Sequence, residues 1–391
     1  MYVYGTRGPG PGARGLATNG TLCVSASVPA VTDGIAPPGR QRPRLFDAFP
    51  GLADRVPWMP LAHAPTPVER CTAIGDWLGR DDVWMKRDDL ASPLYGGNKV
   101  RRYEFVLADA VAHGARRLVT AGGIASTQVM ATALFGRALG LAVKAVLFDQ
   151  PLTHFARRAL LVDATAGAEL VYGGSYLGTA LAVARARLDG GYLILPGAAG
   201  PLANLGYLDA MIELDDQVRA GQMPRPDVIV VPAGSSGTLA ALALGVAWLG
   251  WPTEVVGVRI TTPLACNRVT VEALAAATAR FVRRRSPGGR PLTTGRFRIV
   301  GDALGPGYGH PTPEALDALP RVTSLIGVPG EVTYSGKALV ALRRLAADER
   351  QRGRTLLLWN TLSAVEPPVA PDARERLPPA LARLLDQPVV A

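Results

Sequence analysis

Short apolar strands alternate with helical segments along most of this chain, and this alternation restricts the fold more than any other feature. RRLVTAGG (116–123), LAVKAVLF (141–148) and DVIVVPAG (227–234) are buried-strand patterns, and each is followed by a segment with helical spacing. Continuous apolar strands joined by helices through short glycine turns are typical of parallel sheets covered on both faces. The pattern therefore predicts an α/β fold with a doubly wound parallel sheet, and a second set of such elements begins near residue 201.

The first 42 residues differ from the rest because they are rich in Gly, Pro, Ser, Thr and Ala and lack any periodic pattern. They contain no continuous apolar stretch of the kind found in signal peptides. We predict that residues 1–42 form a disordered N-terminal extension, or that the start codon is placed too early. The globular pattern begins at about residue 43.

Composition excludes several classes of function. The three cysteines lie far apart and the four histidines show no ligand spacing, so a metal site or a disulfide framework is not expected and the cytoplasm is the predicted compartment. No apolar run is long enough to span a membrane. The net charge is +10, but the densest basic run (280–298) is broken by Gly and Pro and lacks interleaved aromatic residues, which favours a solvated surface insertion over nucleic-acid binding.

Lysine is rare in this chain, and its positions are therefore informative. Only Lys86, Lys99, Lys144 and Lys337 occur among the 42 basic residues. A lysine can lose its proton and attack a carbonyl, whereas an arginine cannot, so a rare lysine suggests a chemical role. Chance placement on a solvated face is the alternative, which we favour for Lys144. The glycine turn in YGGNKVRRYEF (95–105) favours the chemical role for Lys99.

Three further loops follow predicted strands and could hold an anionic ligand. Residues 233–238, AGSSGT, open a helix, where backbone N–H groups and the helix dipole attract a phosphate. Residues 124–128, IASTQ, also open a helix, although a hydroxyl there is often only an N-cap. Residues 359–363, WNTLS, follow the last apolar strand. Ligands of open parallel sheets collect at this edge, and the P-loop and dinucleotide-binding motifs are not matched.

Six segments in this order resemble one enzyme family. They are KRDDL (86–90), YGGNKVRRYEFVLADA (95–110), AGGIASTQ (121–128), PAGSSGT (232–238), GYGHPTPEA (307–315) and TYSGKA (333–338). They resemble the D-cysteine desulfhydrase and 1-aminocyclopropane-1-carboxylate (ACC) deaminase family, which uses pyridoxal 5′-phosphate (PLP). The resemblance covers roughly residues 43–365. It implies fold type II, with two open, mostly parallel twisted sheets that carry helices on both faces.

The resemblance also implies domains and residue roles. The large PLP-binding domain would comprise residues 43–108 and 210–391, with a small domain, residues 109–209, inserted in it. Lys99 would form the Schiff base with PLP and take the Cα proton of the substrate. The remaining implied contacts are Asn98, Thr127, Gly234, Ser235, Ser236, Gly237, Thr238 and Ser335 for the cofactor, Ser126, Thr127 and Gln128 for the substrate, and Ser126, Tyr308 and Tyr334 for catalysis.

The reaction expected from the resemblance is α,β-elimination from a small amino acid similar to D-cysteine, giving a 2-oxo acid and ammonia. Ser335 supports elimination, because the deaminases carry a glutamate there that faces the pyridine nitrogen. Ring opening of ACC and a specialised activity remain open, since residues 124–128 and 360–363 depart from the family pattern and Leu362 is expected to reshape the pocket. A β-replacement synthase and an inactive PLP-binding relative are further alternatives. A homodimer without nucleic-acid or membrane partners is expected.

Overall fold

The computed structural model describes residues 42–390, so the predicted extension at residues 1–42 lies outside the described residues except for its last position. The helices are α1 (Leu45–Ala48), α2 (Thr72–Leu78), α3 (Asn98–Ala112), α4 (Thr127–Ala138), α5 (His154–Thr165), α6 (Tyr176–Leu188), α7 (Pro201–Arg219), α8 (Gly237–Trp248), α9 (Arg268–Arg285), α10 (Pro313–Ile326), α11 (Lys337–Ala346) and α12 (Pro379–Leu384). The strands are β1 (Val68–Arg70), β2 (Val83–Arg87), β3 (Arg117–Gly123), β4 (Ala142–Phe148), β5 (Glu169–Gly174), β6 (Tyr192–Ile194), β7 (Val228–Ala233), β8 (Glu254–Arg259), β9 (Phe297–Val300) and β10 (Leu356–Asn360).

The strands form two sheets, as predicted. The large sheet has the order β1-β2-β10-β7-β8-β9, and its strands pair in parallel except for the antiparallel pair β1 and β2. Strands β7 and β10 are buried along their whole length. Their near-continuous apolar sequence follows from this, because helices cover both faces of a parallel sheet.

The small sheet has the order β5-β4-β3-β6, with all neighbours parallel. Its strands come from the chain between Arg117 and Ile194, which lies within the predicted small domain, residues 109–209. The boundaries of the two domains themselves stay a prediction.

Two predicted segments differ from the structure. The sequence pattern of residues 335–352 predicts a single helix, but in the structure a π-helical segment, Val332–Gly336, precedes α11, and α11 ends at Ala346. The Glu331 carboxylate accepts three backbone N–H bonds from residues 333–335, at 2.6–2.8 Å, which accounts for the wider turn. The segment 280–298 is not a surface insertion throughout, since it contains the end of α9 and the start of β9, which pairs with β8.

A buried ion network joins α3 to the large sheet and to α7. Arg101 on α3 donates to Asp88, just after β2, at 2.9 Å and to Glu213 on α7 at 2.8 Å. Lys86 on β2 also donates to Glu213. Asp88 accepts further hydrogen bonds from the side chains of Thr66, Tyr207 and Trp359 at 2.9, 3.0 and 2.7 Å. The charged side chains are tolerated in the interior because each has oppositely charged and hydrogen-bonding partners.

We predict that Glu213→Gln lowers the free energy of unfolding at pH 7 by about 3–5 kcal/mol, because it leaves Arg101 and Lys86 buried with one compensating charge removed. Burial by itself raises the pKa of the Glu213 carboxyl, but Arg101 and Lys86 more than reverse this and hold it well below its usual range. The stabilisation is therefore present above the unfolded pKa of about 4.3 and is lost as the pH falls through the folded pKa.

Urea unfolding followed by circular dichroism measures this effect. Glu272→Gln is the matched control, since Glu272 forms an exposed pair with Arg268 and its loss should change the free energy of unfolding by less than about 1 kcal/mol. Equal losses in the two variants would contradict a special role for the buried network.

Candidate active site

Lys99 lies in the first turn of α3, where a tight glycine turn presents it. Gly97 has a φ of 88°, and a Cβ there would lie 2.5 Å from the Thr361 carbonyl oxygen, so only glycine fits. The Lys99 Nζ donates to Asn98 Oδ1 at 2.7 Å. The side chain is buried, and burial followed by the charge of Arg102 lowers the pKa of Lys99 to about 7. A large share of Lys99 is therefore a free amine at neutral pH, which is the nucleophilic form.

The other lysines have structural partners. Lys86 is buried in the ion network, and Lys337 donates to the carbonyl oxygens of Leu304 and Gly307 at 2.8 and 3.0 Å. Lys144 forms an ion pair with Glu169 at 2.8 Å. Lys99 is the lysine that lines the large cavity described below.

The loop 234–238 leads from β7 into α8, which begins at Gly237. The first N–H groups of a helix have no partner inside it, and they point toward any anion placed before the helix. Ser236 precedes the helix with a left-handed φ of 63°, a conformation that is costly for a residue other than glycine. Its hydroxyl lies 2.9 Å from the Thr270 hydroxyl on α9 and also contacts the Ala265 carbonyl oxygen.

Arg102 lies behind this loop, one helical turn after Lys99. Its guanidinium donates to Thr238 Oγ1 at 2.9 Å and to the Ala198 carbonyl oxygen at 3.0 Å. A Cβ on Gly237 would lie 2.8 Å from the guanidinium nitrogens, so the glycine allows the close approach. Burial lowers the pKa of Arg102 to about 10, which still leaves it positively charged at neutral pH. The loop thus combines helix N–H groups with a buried cation.

The loop before α4 carries the residues predicted to contact substrate. Ser126 is the N-cap, and its hydroxyl accepts from the Val129 N–H at 3.3 Å. The Gln128 amide donates to Thr120 Oγ1 at 2.5 Å and accepts from the Gly197 N–H at 3.3 Å. The Gln128 amide nitrogen therefore binds β3 at Thr120, and the amide oxygen binds the backbone at Gly197.

Two tyrosine hydroxyls meet in the site. The hydroxyls of Tyr308 and Tyr334 lie 2.8 Å apart. Burial raises the pKa of Tyr334 to about 12, with hydrogen bonds from Tyr308 and Thr127 acting in the opposite sense, and burial raises the pKa of Tyr308 well above its usual value. Both phenols stay protonated at neutral pH, so one can donate to the other while the second proton remains available to a ligand.

A cavity of 720 Å³ brings most of the predicted residues together. Those that line it are Asn98, Lys99, Ser126, Gln128, Gly234, Ser235, Ser236, Gly237, Thr238, Tyr308 and Tyr334.

Three residues expected at the site lie outside the lining of this cavity. Thr127 instead reaches Tyr334 through a side-chain hydrogen bond. The Ser335 hydroxyl is 2.9 Å from the Glu331 carbonyl oxygen and 3.0 Å from its carboxylate. Leu362, expected to reshape the pocket, is buried and lines a separate cavity of 170 Å³ with Tyr95.

Sequence reasoning missed several residues of the site. Arg102 could have been found, because it stands three positions after Lys99 and so lies on the same helix face. Phe148 and Tyr176 also line the cavity. Glu331 holds the segment that carries Tyr334 and Ser335. For these last three no local pattern points to the site.

The chain is similar to known proteins along most of its described length. Residues 59–361 match the family described as pyridoxal-phosphate dependent enzyme. The D-cysteine desulfhydrase of Salmonella paratyphi B is 33% identical over 300 residues, which cover 74% of this chain and 88% of the relative. The D-cysteine desulfhydrase of Salmonella newport matches with the same figures.

Solved structures show the same architecture. An ACC deaminase homologue is 27% identical and superposes with a TM-score of 0.68, covering 86% of this chain and 100% of that chain. The processed form of threonine deaminase isoform 2 from Solanum lycopersicum is 16% identical with a TM-score of 0.52, covering 77% of this chain and 84% of that chain. This second likeness shows the fold alone.

We predict that Lys99 of the cofactor-free protein reacts with a small amine-reactive reagent, and that the rate reaches half its maximum at a pH near the Lys99 pKa of about 7. Below this pH the ammonium form does not react, and above it the rate levels off. Acetic anhydride pulses at each pH, followed by peptide mass spectrometry, measure the rate. An added lysine peptide is the control, and its rate should still rise above pH of about 9. A Lys99 rate that follows the peptide would contradict the buried, neutral amine.

Proposed function

This chain belongs to the pyridoxal-phosphate dependent enzymes, and on that premise we propose that it eliminates the Cβ substituent of a small amino acid such as D-cysteine, releasing a 2-oxo acid and ammonia. The PLP cofactor, the fold type and the lyase or deaminase class predicted from the sequence are confirmed. The observation that carries the proposal is that one cavity contains a lysine whose pKa is lowered to about 7 and two tyrosines that keep their protons.

The residues present fit the cofactor. A phosphate would be held by the N–H groups of the loop 234–238, where the missing Cβ of Gly237 lets the positively charged Arg102 approach the loop. The Nε of Arg102 has no hydrogen-bond partner among the described residues. Lys99, on the adjacent helix α3, would hold the aldehyde end. When bound, the cofactor supplies an electron sink for the pair left on Cα after proton removal.

Lys99 is the proposed base. Its amine is buried and about half of it is neutral at pH 7, so Nζ can accept a proton from Cα of a substrate in the cavity. The side chain of Asn98 orients Nζ through the 2.7 Å hydrogen bond.

The tyrosine pair and the start of α4 are proposed to bind the substrate. Tyr308 and Tyr334 keep their protons, and one of the two hydroxyls can donate to the leaving group or stabilise it. A substrate carboxylate at Ser126 would face the N-terminus of α4, where free N–H groups and the helix dipole favour a negative charge. Gln128 would act by holding the loop at Gly197.

The resemblance at Ser335 favours elimination over ring opening of ACC, although Ser335 does not line the cavity in this structure. By resemblance, the deaminases carry a glutamate at this place beside the pyridine nitrogen. A hydroxyl leaves the cofactor a weaker electron sink than a carboxylate does, and elimination needs less of a sink because the leaving group takes the electrons. In this structure the Ser335 hydroxyl donates to the Glu331 carboxylate at 3.0 Å.

The proposal extends to assembly and compartment. We propose a homodimer that acts in the cytoplasm on small amino acids, without nucleic-acid or membrane partners. Within residues 42–390, no helix is long and apolar enough to cross a membrane, and Cys71 and Cys266 are buried free thiols.

We predict that Lys99→Arg abolishes covalent attachment of the cofactor while the protein stays folded, because a guanidinium does not react with the aldehyde. Borohydride reduction of the cofactor-loaded protein followed by peptide mass spectrometry locates the modified lysine. Lys144→Arg, which keeps the pair with Glu169, is the matched control and should retain the modification at Lys99. Full modification of another lysine in Lys99→Arg would remove Lys99 from its proposed role.

The reaction itself is tested with D- and L-cysteine, β-chloroalanine and ACC. We expect the 2-oxo acid and ammonia in equal amounts from one enantiomer with a β leaving group, at a kcat/KM at least tenfold above that for ACC. Preferential turnover of ACC would replace elimination by ring opening. Cofactor binding without any product would favour the inactive relative, and incorporation of an added thiol would favour β-replacement.

A further inference from the structure

The outer part of the cavity points to a substrate larger than cysteine. We propose that the preferred substrate is a thioether amino acid, a cysteine whose sulfur carries an aromatic group. This inference rests on the proposed elimination and specifies what leaves.

The cavity is divided into a polar end and an apolar end. Lys99, Ser126 and the loop 234–238 form the polar end, where a cofactor phosphate and an amino-acid backbone find their partners. The apolar end is lined by Ala180, Val183 and Leu193, which are exposed or half-buried. A cavity of 720 Å³ is in the range that holds a cofactor or a drug-sized ligand. Hydrogen sulfide leaving from cysteine would occupy little of the apolar end.

A row of four aromatic rings runs along this cavity from the catalytic end to its mouth. The ring centroids of Tyr334 and Tyr308 lie 6.3 Å apart, those of Tyr308 and Phe148 lie 6.1 Å apart, and those of Phe148 and Tyr176 lie 4.7 Å apart. All four rings line the cavity, and Tyr176 at the outer end is 62% exposed. Aromatic rings at such distances in edge-on or tilted geometry attract a further ring, which would extend the row.

Helix α6 carries the apolar wall on one face. Tyr176, Thr179, Ala180 and Val183 line the cavity at the spacing of one helix face. Only Thr179 and Ala186 of this helix are buried, so much of its apolar surface meets solvent. An apolar leaving group would cover this surface and gain free energy from its removal from water.

The reaction is balanced with water as the second reactant. The bond between Cβ and sulfur breaks, the sulfur leaves with the electron pair and takes a proton, and Lys99 Nζ takes the proton lost from Cα. The released 2-aminoacrylate then reacts with water to give pyruvate and ammonia. The sum is thioether amino acid plus water giving thiol, pyruvate and ammonia, without an oxidant or reductant.

The proposal is tested by comparing S-benzylcysteine with cysteine, both as D and L enantiomers, through the rate of pyruvate formation by the cofactor-loaded enzyme. We expect kcat/KM to be at least tenfold higher for S-benzylcysteine than for cysteine of the same configuration. A second measurement does not need turnover, because S-benzyl-α-methylcysteine and α-methylcysteine lack the Cα proton. Calorimetry should show the benzyl compound binding at least tenfold more tightly.

Two neighbouring variants in the first turn of α6 identify the surface involved. Tyr176→Ala removes the outer ring and should lower the preference for the benzyl group at least fivefold, in both kcat/KM and binding. Leu177→Ala is the matched control, since Leu177 is 72% exposed and does not line the cavity, and it should leave the preference unchanged.

The possible outcomes separate this inference from the proposed function. Turnover of cysteine or β-chloroalanine with no preference for the benzyl compounds would overturn the inference and leave elimination intact. Absence of elimination from every substrate, together with equal binding of the two α-methyl compounds, would overturn both. Tight binding of the benzyl compound without elimination from any substrate would support the apolar subsite and overturn the reaction.

Discussion

The buried ion network around Arg101 fixes the helix on which the rest of the site depends. Arg101 is held between Asp88 and Glu213, and neither carboxylate can move away without leaving a buried charge uncompensated. Helix α3 therefore has one position relative to the large sheet and α7. Lys99 and Arg102 belong to the same helix, so the network also sets where the amine and the guanidinium stand relative to the loop 234–238.

Burial then divides the acid and base roles within the site. Loss of water disfavours the charged form of any group, so it lowers the pKa of Lys99 to about 7 and raises the pKa of Tyr334 to about 12. The amine becomes a base at neutral pH, and the phenol remains a proton donor. One physical cause thus prepares two opposite functions, because the two groups carry charge in opposite protonation states.

The hydrogen bonds around the site separate residues that act on ligands from residues that hold loops. The sequence predicts ligand contacts for both Gln128 and Ser335, yet each uses its polar atoms on protein partners, Gln128 on Gly197 and Thr120 and Ser335 on Glu331. Lys337 likewise holds the backbone before Tyr308. A side chain near the site can thus act through the backbone that it positions, and type and spacing do not distinguish the two cases.

The sequence by itself determined the features that depend on local backbone chemistry. The alternation of strands and helices predicted an α/β fold with parallel strands, and the glycines before Lys99 predicted a turn there, in which Gly97 has a φ of 88°. Only the tertiary structure decided the contacts between distant segments. The aromatic row joins residues 148, 176, 308 and 334, and the partner of Ser335 depends on a π-helical turn. These contacts exist only after both sheets have packed, since spacing along a chain carries no information on which remote side chains share a cavity.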